Sequence, residues 1–407
     1  MADILNAVAA LSLLIWFYLV VFRGGFWRAE ARLGDDAPAP ARWPEIVALV
    51  PARDEAEVIG RSIASLLAQD YPGRFHVVLA DDHSGDGTAE LARQAAREAR
   101  AFGREESLTI VAVRDLPPGW SGKLWALHEG LSKADEAAPE ADYVWLSDAD
   151  IEHEPGNLRR LVAKAEHERR DLVSLMVALS CHGWWERLLI PPFIFFFQML
   201  YPFPWVNDPR RRTAAAAGGC ILLRRAALVE AGGFAAIRGE LIDDCALARR
   251  IKDLSRARGT GGIWLGLATT ARSIRPYRGL RDIWTMVARS AYTQLHHSPV
   301  LLVGTVAGMA LTFLAPPLIG LSAPAHGANV AAILGFTAWS AMTLSAWPTY
   351  SHYRQSFRLA VLLPLAAALY CAMTLDSARR HRHGRGGTWK GRVHTKAREV
   401  EQKPLEE

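Results

Sequence analysis

Cysteine is scarce in this 407-residue chain, and the few present lack pattern. Cys181, Cys220, Cys245 and Cys371 form no Cys-x-x-Cys pair and stand in no zinc-type spacing with histidine. That argues against a disulfide scaffold and a structural zinc site, and leaves four free thiols suited to a reducing cytoplasm. A Gly-x-Gly-x-x-Gly turn is missing after the first strand-like run, where Pro51-Ala-Arg-Asp-Glu55 stands instead. A nicotinamide-dependent oxidoreductase on a βαβ fold would normally carry that turn. Internal repeats and long low-complexity stretches are also lacking, which sets aside solenoids and compositionally biased tails. No lysine or arginine precedes Arg23.

What is present ahead of Arg23 is an uncharged apolar run, Ile4 to Phe22, long enough to cross a bilayer. It has no basic leading region and no small-x-small cleavage site, so it reads as an uncleaved anchor over 1–25 rather than a signal peptide. Three more apolar stretches crowd the C-terminal third: Pro299 to Leu321, Gly327 to Trp347 and Leu359 to Leu375. Most of the charge lies between, which predicts a multi-pass membrane protein with one large extramembrane domain over 43–272. An interfacial linker over 273–298, membrane segments over 299–376 and a basic tail over 377–407 complete the expected plan.

Arg23 and Arg28 directly follow the first span, and the positive-inside rule then places the large domain in the cytoplasm. Arg354, Arg358 and the tail from Arg379 to Arg398 also favour that side. Three full C-terminal spans would leave the tail outside, so one of the three is expected to be re-entrant or interfacial. The first, broken by Pro316-Pro317, and the last, which is the shortest, are the two candidates. The sequence pI near 9.1 reflects basic residues beside membrane segments, where they pair with anionic head groups, and does not indicate nucleic-acid binding.

From Trp43 to about Ala271 strand-like and helix-like patterns alternate, as in a largely parallel α/β sheet. Strands are expected at Glu45 to Val50 (closed by Pro51), Phe75 to Ala80, Leu108 to Val113 and Tyr143 to Leu146. Val58, Ile59, Ile63, Leu66 and Leu67 mark a helix over Glu57 to Gln69, and a second helix starts near Ala89. Trp184 to Val206 is rich in aromatics and proline. The prolines argue against one straight spanning helix, and the aromatics suit the bilayer interface.

The chemistry gathers at the strand ends. Asp148 and Asp150 close the apolar run Tyr143 to Leu146, at the sheet edge where ligands of open α/β folds bind. Such a pair can hold a hard divalent ion, Mg²⁺ or Mn²⁺, and leave room for substrate phosphates. Asp81 and Asp82 end the second strand. Either can accept hydrogen bonds from a nucleotide base or ribose, and either can cap the following helix. Lys123 lies in Gly119-Trp-Ser-Gly-Lys-Leu-Trp-Ala-Leu127 and offers a point charge to a diphosphate. Gly218 and Gly219, in Ala217-Gly-Gly-Cys-Ile-Leu-Leu-Arg-Arg225, would let the backbone approach an acceptor closely. Asp243 and Asp244, in Gly239-Glu-Leu-Ile-Asp-Asp-Cys-Ala-Leu-Ala-Arg-Arg250, suit a helix start or a general base. Pro51, Arg53 and Glu55 line the same edge, unless Arg53 and Glu55 only pair with each other.

Five motifs in this order, over roughly Ile46 to Arg250, resemble family 2 glycosyltransferases, inverting enzymes with a nucleotide-sugar-binding GT-A fold. The resemblance implies a GT-A domain with a mostly parallel sheet, base recognition by Asp81 or Asp82, metal held by Asp148 and Asp150, and Asp244 as the base. Asp243 replaces the usual glutamate before it. Processive relatives carry Gln-x-x-Arg-Trp after the base. The matching region, Trp284-Thr-Met-Val-Ala-Arg-Ser-Ala-Tyr-Thr-Gln-Leu295, offers Arg289 but not that order, which implies transfer of a single sugar. The anchor, the Pro-Ala-Arg-Asp-Glu opening and the Thr388-Trp-Lys-Gly-Arg392 tail are similar to bacterial hopanoid-associated glycosyltransferases. That likeness implies a bacterial inner-membrane enzyme, a donor with UDP favoured, and a hopanoid or related lipid acceptor. Ceramide-like, diacylglycerol or polyprenyl-phosphate acceptors, and a non-catalytic scaffold with a degenerate domain, are the alternatives.

Overall fold

The computed structural model describes residues 1–34, 37–101, 107–383, 386, 388–389 and 392–393. The chain forms two units. A helical unit comprises Met1–Glu30, Ser180–Pro204 and Tyr277–Gly386, and an α/β unit comprises Ala31–Leu179 and Trp205–Pro276 with residues from Gly387 on. The basic tail and its Thr388 to Arg392 stretch fall largely outside the described residues.

In the α/β unit the strands are β1 (Ile46–Ala52), β2 (Phe75–Asp81), β3 (Ser107–Ala112), β4 (Tyr143–Ser147), β5 (Ile151–His153), β6 (Leu172–Ala178), β7 (Cys220–Arg224) and β8 (Ile263–Ser273). They make one sheet in the order β3-β2-β1-β4-β7-β6-β8-β5. The half from β3 to β4 is parallel, as the alternating pattern predicts, and β6 and β8 also run parallel. β7 runs antiparallel to both β4 and β6, and β5 antiparallel to β8, so the second half is mixed.

Every residue of β1 and of β4 is buried, which explains why they read as continuous apolar runs rather than alternating ones. Ile59, Ile63, Leu66 and Leu67 of the helix Ile59–Leu67 pack in one core with Val77, Leu79, Trp145 and Leu175. Pro51 does not close β1, contrary to expectation. It pairs with Ala80 within the strand, beyond the last β1–β4 pairing at Leu49 and Leu146, so its missing amide costs no bond to β4.

Among the described residues of the helical unit, three helices are long and apolar enough to cross a membrane: Ala2–Phe22, Pro299–Leu321 and Asn329–His352. The last apolar stretch lies within Phe357–Val361 and Leu363–Arg382 and is not among them; its final turn carries Arg379, Arg380 and Arg382. Pro316-Pro317 does not break the second helix. A π-helical turn over Ala310–Leu314 precedes it and absorbs the altered bonding, and the Trp16 indole N–H donates to the Thr312 carbonyl there at 2.8 Å.

Trp184–Leu200 is likewise one 17-residue helix despite Pro191 and Pro192. Phe195 packs at a tilt on Phe26 and Phe196 meets Phe313 and Tyr370 edge to face, and this packing offsets an interior-proline cost of about 3 kcal/mol. At that length the helix is shorter than the roughly 20 residues a span needs.

Candidate active site

The carboxyl end of β4 is where the sheet changes character, with parallel β1 on one side and antiparallel β7 on the other. Asp148 and Asp150 leave this edge in a tight turn into β5. A buried network fixes the turn. Asn157 Nδ2 lies 3.1 Å from His153 Nδ1, and His153 Nε2 lies 2.9 Å from Ser147 Oγ. Thr270 Oγ1 donates to Asn157 Oδ1 at 2.6 Å. Burial pushes the His153 imidazole down to about 3, so the ring is neutral and serves as a spacer rather than a proton carrier.

Around this turn the carboxylates have distinct partners. Asp148 Oδ1 is 2.7 Å from Lys123 Nζ, which is also 3.8 Å from Asp243 Oδ2. Asp150 Oδ2 accepts from Ser273 Oγ at 2.7 Å and lies 3.5 Å from Arg275 Nε, while another Arg275 nitrogen bonds to the buried Glu55. Lys123 is placed by the helix Gly122–Ala137, whose N-cap Ser121 accepts from Leu124 N. Burial works to lower the Lys123 ammonium, but the carboxylates of Asp148, Asp243 and Asp244 prevail and hold it above its ordinary range, firmly charged.

Asp243 and Asp244 open the helix Asp243–Arg258, where the N-terminal dipole favours acids. Asp244 Oδ2 accepts from Gly218 N at 2.9 Å and Oδ1 from Cys245 N at 2.7 Å. Burial and then the neighbouring Asp243 charge push its carboxyl up to about 6 against the pull of Lys123. A carboxylate held near neutrality is a competent proton acceptor at physiological pH. Gly218 leaves room for the cluster, since a Cβ there would lie 3.1 Å from Lys123 Nζ and 3.4 Å from Asp244 Oδ2 and would press on both. Gly219 faces the opposite problem, with Val177 methyls at 3.0 and 3.2 Å. Beneath Lys123, Asp148, Asp243 and Asp244 lies a recess of about 10 Å³ floored by Leu124, Leu127, Ile221, Phe234 and Leu247, with Pro51 and Gly218 also in its lining. It has room for about one water, so any substrate lies outside it.

At the ends of β1 and β2 the structure separates two aspartates that the sequence leaves equivalent. Asp81 Oδ1 accepts from Ser84 N at 3.2 Å, a turn bond. Asp82 is fully buried and meets Arg53 (Nη1 to Asp82 O 2.6 Å, to Oδ2 3.4 Å) and His83 Nδ1 at 3.1 Å. Neither is the acid at the start of the next helix. That acid is Asp86, which accepts from Thr88 N at 3.1 Å and Ala56 N at 2.9 Å. Arg53 and Glu55 do not take each other as partners in these bonds: Arg53 turns to Asp82, Glu55 to Arg275.

The α/β unit thus brings Asp148, Lys123, Asp243, Asp244 and Gly218 into one cluster, and Asp150, two residues beyond Asp148, is joined through Arg275 to Glu55. Arg289 is not in that set. It is exposed on the helix Leu280–Gln294 of the helical unit. Sequence reading missed Ser273 and Arg275. The signal was a strand ending in Ala271-Arg-Ser-Ile-Arg-Pro276, where a proline stops β8 beside two polar groups.

The donor set suits a hard ion that is shared with a substrate. Asp148 and Asp150 supply carboxylate oxygens, and among the described residues no three His, Cys, Asp or Glu side chains gather as a closed metal centre. An ion held here would complete its shell from phosphate oxygens and water, as Mg²⁺ and Mn²⁺ do.

Comparison with known proteins bears on the same region. Residues 47–232 match the family model described as glycosyl transferase family 2. The beta-monoglucosyldiacylglycerol synthase of Synechocystis sp. is 32% identical over 130 residues, 32% of this chain and 24% of that protein. Glucomannan 4-beta-mannosyltransferase 7 of Arabidopsis thaliana is 28% identical over 138 residues, 34% of this chain and 24% of that protein. The chain therefore spans about a quarter of the length of these curated relatives. A solved structure, a mannosyltransferase from Pyrobaculum calidifontis in complex with GDP-Man and Mn²⁺, is similar with a TM-score of 0.50 and 20% identity, over 95% of this chain and 100% of that one. At that identity the likeness is one of fold, and the fold is GT-A.

Proposed function

We propose that this chain, whose residues 47–232 match the glycosyl transferase family 2 model, is a membrane-bound inverting glycosyltransferase that moves one sugar from a nucleotide-diphosphate sugar to a membrane lipid. The observation that carries this reading is the juxtaposition of Asp244, with its raised carboxyl, and the Lys123–Asp148 pair at one sheet edge.

Inversion needs an acceptor hydroxyl to attack the anomeric carbon opposite the leaving group, and a base to take its proton. Asp244 is that base, with its oxygens aimed by Gly218 N and Cys245 N. Asp243 keeps its proton affinity high, and Lys123 holds the acidic cluster together. The end of β2 receives the nucleoside, where Asp81 is part-exposed and the buried Asp82 holds Arg53 in place. Mg²⁺ or Mn²⁺ bound by Asp148 and Asp150 would supply positive charge to the leaving diphosphate.

The lipid acceptor is supported by three apolar helices and by a relative named for a glucosyldiacylglycerol product. The hopanoid class within it rests on the motif likeness, as does UDP over GDP. Three spans, with basic residues after the first and after the last, suit a cytoplasmic α/β unit in a bacterial inner membrane.

The test is nucleotide-diphosphate release by detergent-purified protein given UDP-glucose or UDP-N-acetylglucosamine, Mn²⁺ or Mg²⁺ and a bacterial lipid extract, beside Asp150→Ala. Release is expected to need metal, lipid and Asp150, and the labelled product then identifies the acceptor. Folded protein that releases nothing with UDP- or GDP-sugars and any lipid fraction would overturn the reading.

A further inference from the structure

Each carboxylate of the Asp148-Ala-Asp150 pair is matched by a cation of the protein itself, and the two cations are held differently. Lys123 is mostly buried, 2.7 Å from Asp148 and within reach of Asp243. Arg275 is 37% exposed and stands two residues past the end of β8, just before Pro276. Its Nε is 3.5 Å from Asp150 Oδ2, long for a charge-assisted bond, which runs about 2.7–2.9 Å. Its Nη2 bonds closely to Glu55, which is only 9% exposed. Asp150 keeps independent support from Ser273 Oγ at 2.7 Å, and its carbonyl accepts from Ile274 N at 2.9 Å. The guanidinium can therefore swing away from Asp150 without losing its firm partner and without unseating Asp150.

We propose that Arg275 is an exchangeable counter-ion and a donor-positioning residue. It neutralises Asp150 while the donor site is empty, cedes Asp150 to the divalent ion, and turns to the nucleotide diphosphate while Glu55 holds its stem. This rests on the functional reading given above. A cation beside Asp150 opposes a metal ion that arrives alone, by the same Coulomb term that draws in the diphosphate. Arg275 therefore makes metal binding conditional on nucleotide, a coupling between the two ligands that must be reciprocal.

Mn²⁺ titration of the detergent-purified full chain by electron paramagnetic resonance tests this, first with Mn²⁺ alone and then with UDP or GDP. Arg275→Gln is expected to bind Mn²⁺ alone about three- to tenfold more tightly, the scale of removing one partly screened like charge. The same variant is expected to bind Mn²⁺ with nucleotide roughly tenfold more weakly. Arg275→Lys keeps the charge and is expected to bind Mn²⁺ alone as the wild type does, while losing part of the nucleotide affinity. Asp150→Asn identifies the site by removing both signals. If Asp150→Asn removes Mn²⁺ binding but Arg275→Gln leaves it unchanged or weaker, Arg275 is a fixed partner of Glu55 and the proposal fails alone. If the wild type binds no Mn²⁺ with either nucleotide, the functional reading fails and takes this proposal with it.

Discussion

Replacing Asp244 by Asn is expected to separate catalysis from folding, because its two effects on stability oppose each other while the loss of a proton acceptor has no offset. A carboxyl whose proton affinity rises on folding stabilises the fold below its unfolded value of 3.8, and that contribution is lost as pH climbs through about 6. At neutral pH the ionised group therefore costs stability, by at most roughly 3 kcal/mol for a displacement of this size. Asn removes that cost. It also has one oxygen where Gly218 N and Cys245 N each need an acceptor, so one amide is left facing an NH₂ group, at about 1–3 kcal/mol. The terms nearly cancel, and the melting temperature is expected to stay within a few degrees of wild type. Turnover is expected to fall by about 10²–10⁴-fold, because the side chain can no longer take a proton. Nucleotide-diphosphate release and a thermal melt on the same preparation read both. A variant that melts normally and keeps more than roughly a tenth of its turnover would refute the assignment of the base.

Wild-type kcat is expected to drop as pH falls below about 6, where Asp244 takes up a proton, and Asp243→Asn should move that break to lower pH by removing the neighbouring charge. A kcat–pH profile decides, and an unmoved break would exclude Asp243 as the cause. Gly219→Ala presses a methyl against Val177 and should lower stability by about 1–3 kcal/mol, with Val177→Ala in the same chain recovering most of the loss in a thermal melt. Lys252→Met strips the donors from the carbonyls of Trp205, Val206 and Thr213, at 3.1, 2.6 and 2.7 Å. It should cost about 2–4 kcal/mol, and a melt unchanged from wild type would show that water replaces the ammonium.

The parallel half of the fold was legible because β1 and β4 are buried on both faces, and burial of that kind leaves uninterrupted apolar runs. The antiparallel half was not. β7 is five residues long, and its pairing to β4 and β6 is set by tertiary partners far away in sequence. Proline misled twice for one reason: its local cost was readable, whereas the packing that offsets it was not. Pro51 lies beyond the reach of β4, and Pro316-Pro317 follows a π-helical turn, held by Trp16, that keeps Pro299–Leu321 continuous. At the site, the acids could be read from their positions at strand and helix ends. Their division of labour could not. Asp81 and Asp82 are adjacent and chemically identical, and only burial and the direction of Arg53 distinguish them. Arg275 escaped notice because its partners, Glu55 and Asp150, are remote in sequence and belong to different strand ends.

The charges at this edge bear on how a divalent ion and the protein's own cations would share the work of holding a donor. Among the described residues the carboxylates Glu55, Asp82, Asp148, Asp150, Asp243 and Asp244 meet the cations Arg53, Lys123 and Arg275, with His83 also at Asp82. Each cation is already engaged by at least one carboxylate, so the edge stays acidic and repels a diphosphate that approaches by itself. A divalent ion held by Asp148 and Asp150 would reverse the local sign there, and under the proposal above that change would free Arg275 to turn from a carboxylate to a phosphate. Asp244 stands apart from that exchange. Its neighbours are Asp243, Lys123 and two backbone amides, so its readiness to take a proton is built into the helix start and persists whether or not the donor has arrived. Under the proposed function the site would thus separate donor capture, carried by mobile charge, from proton removal, carried by charges fixed by the fold.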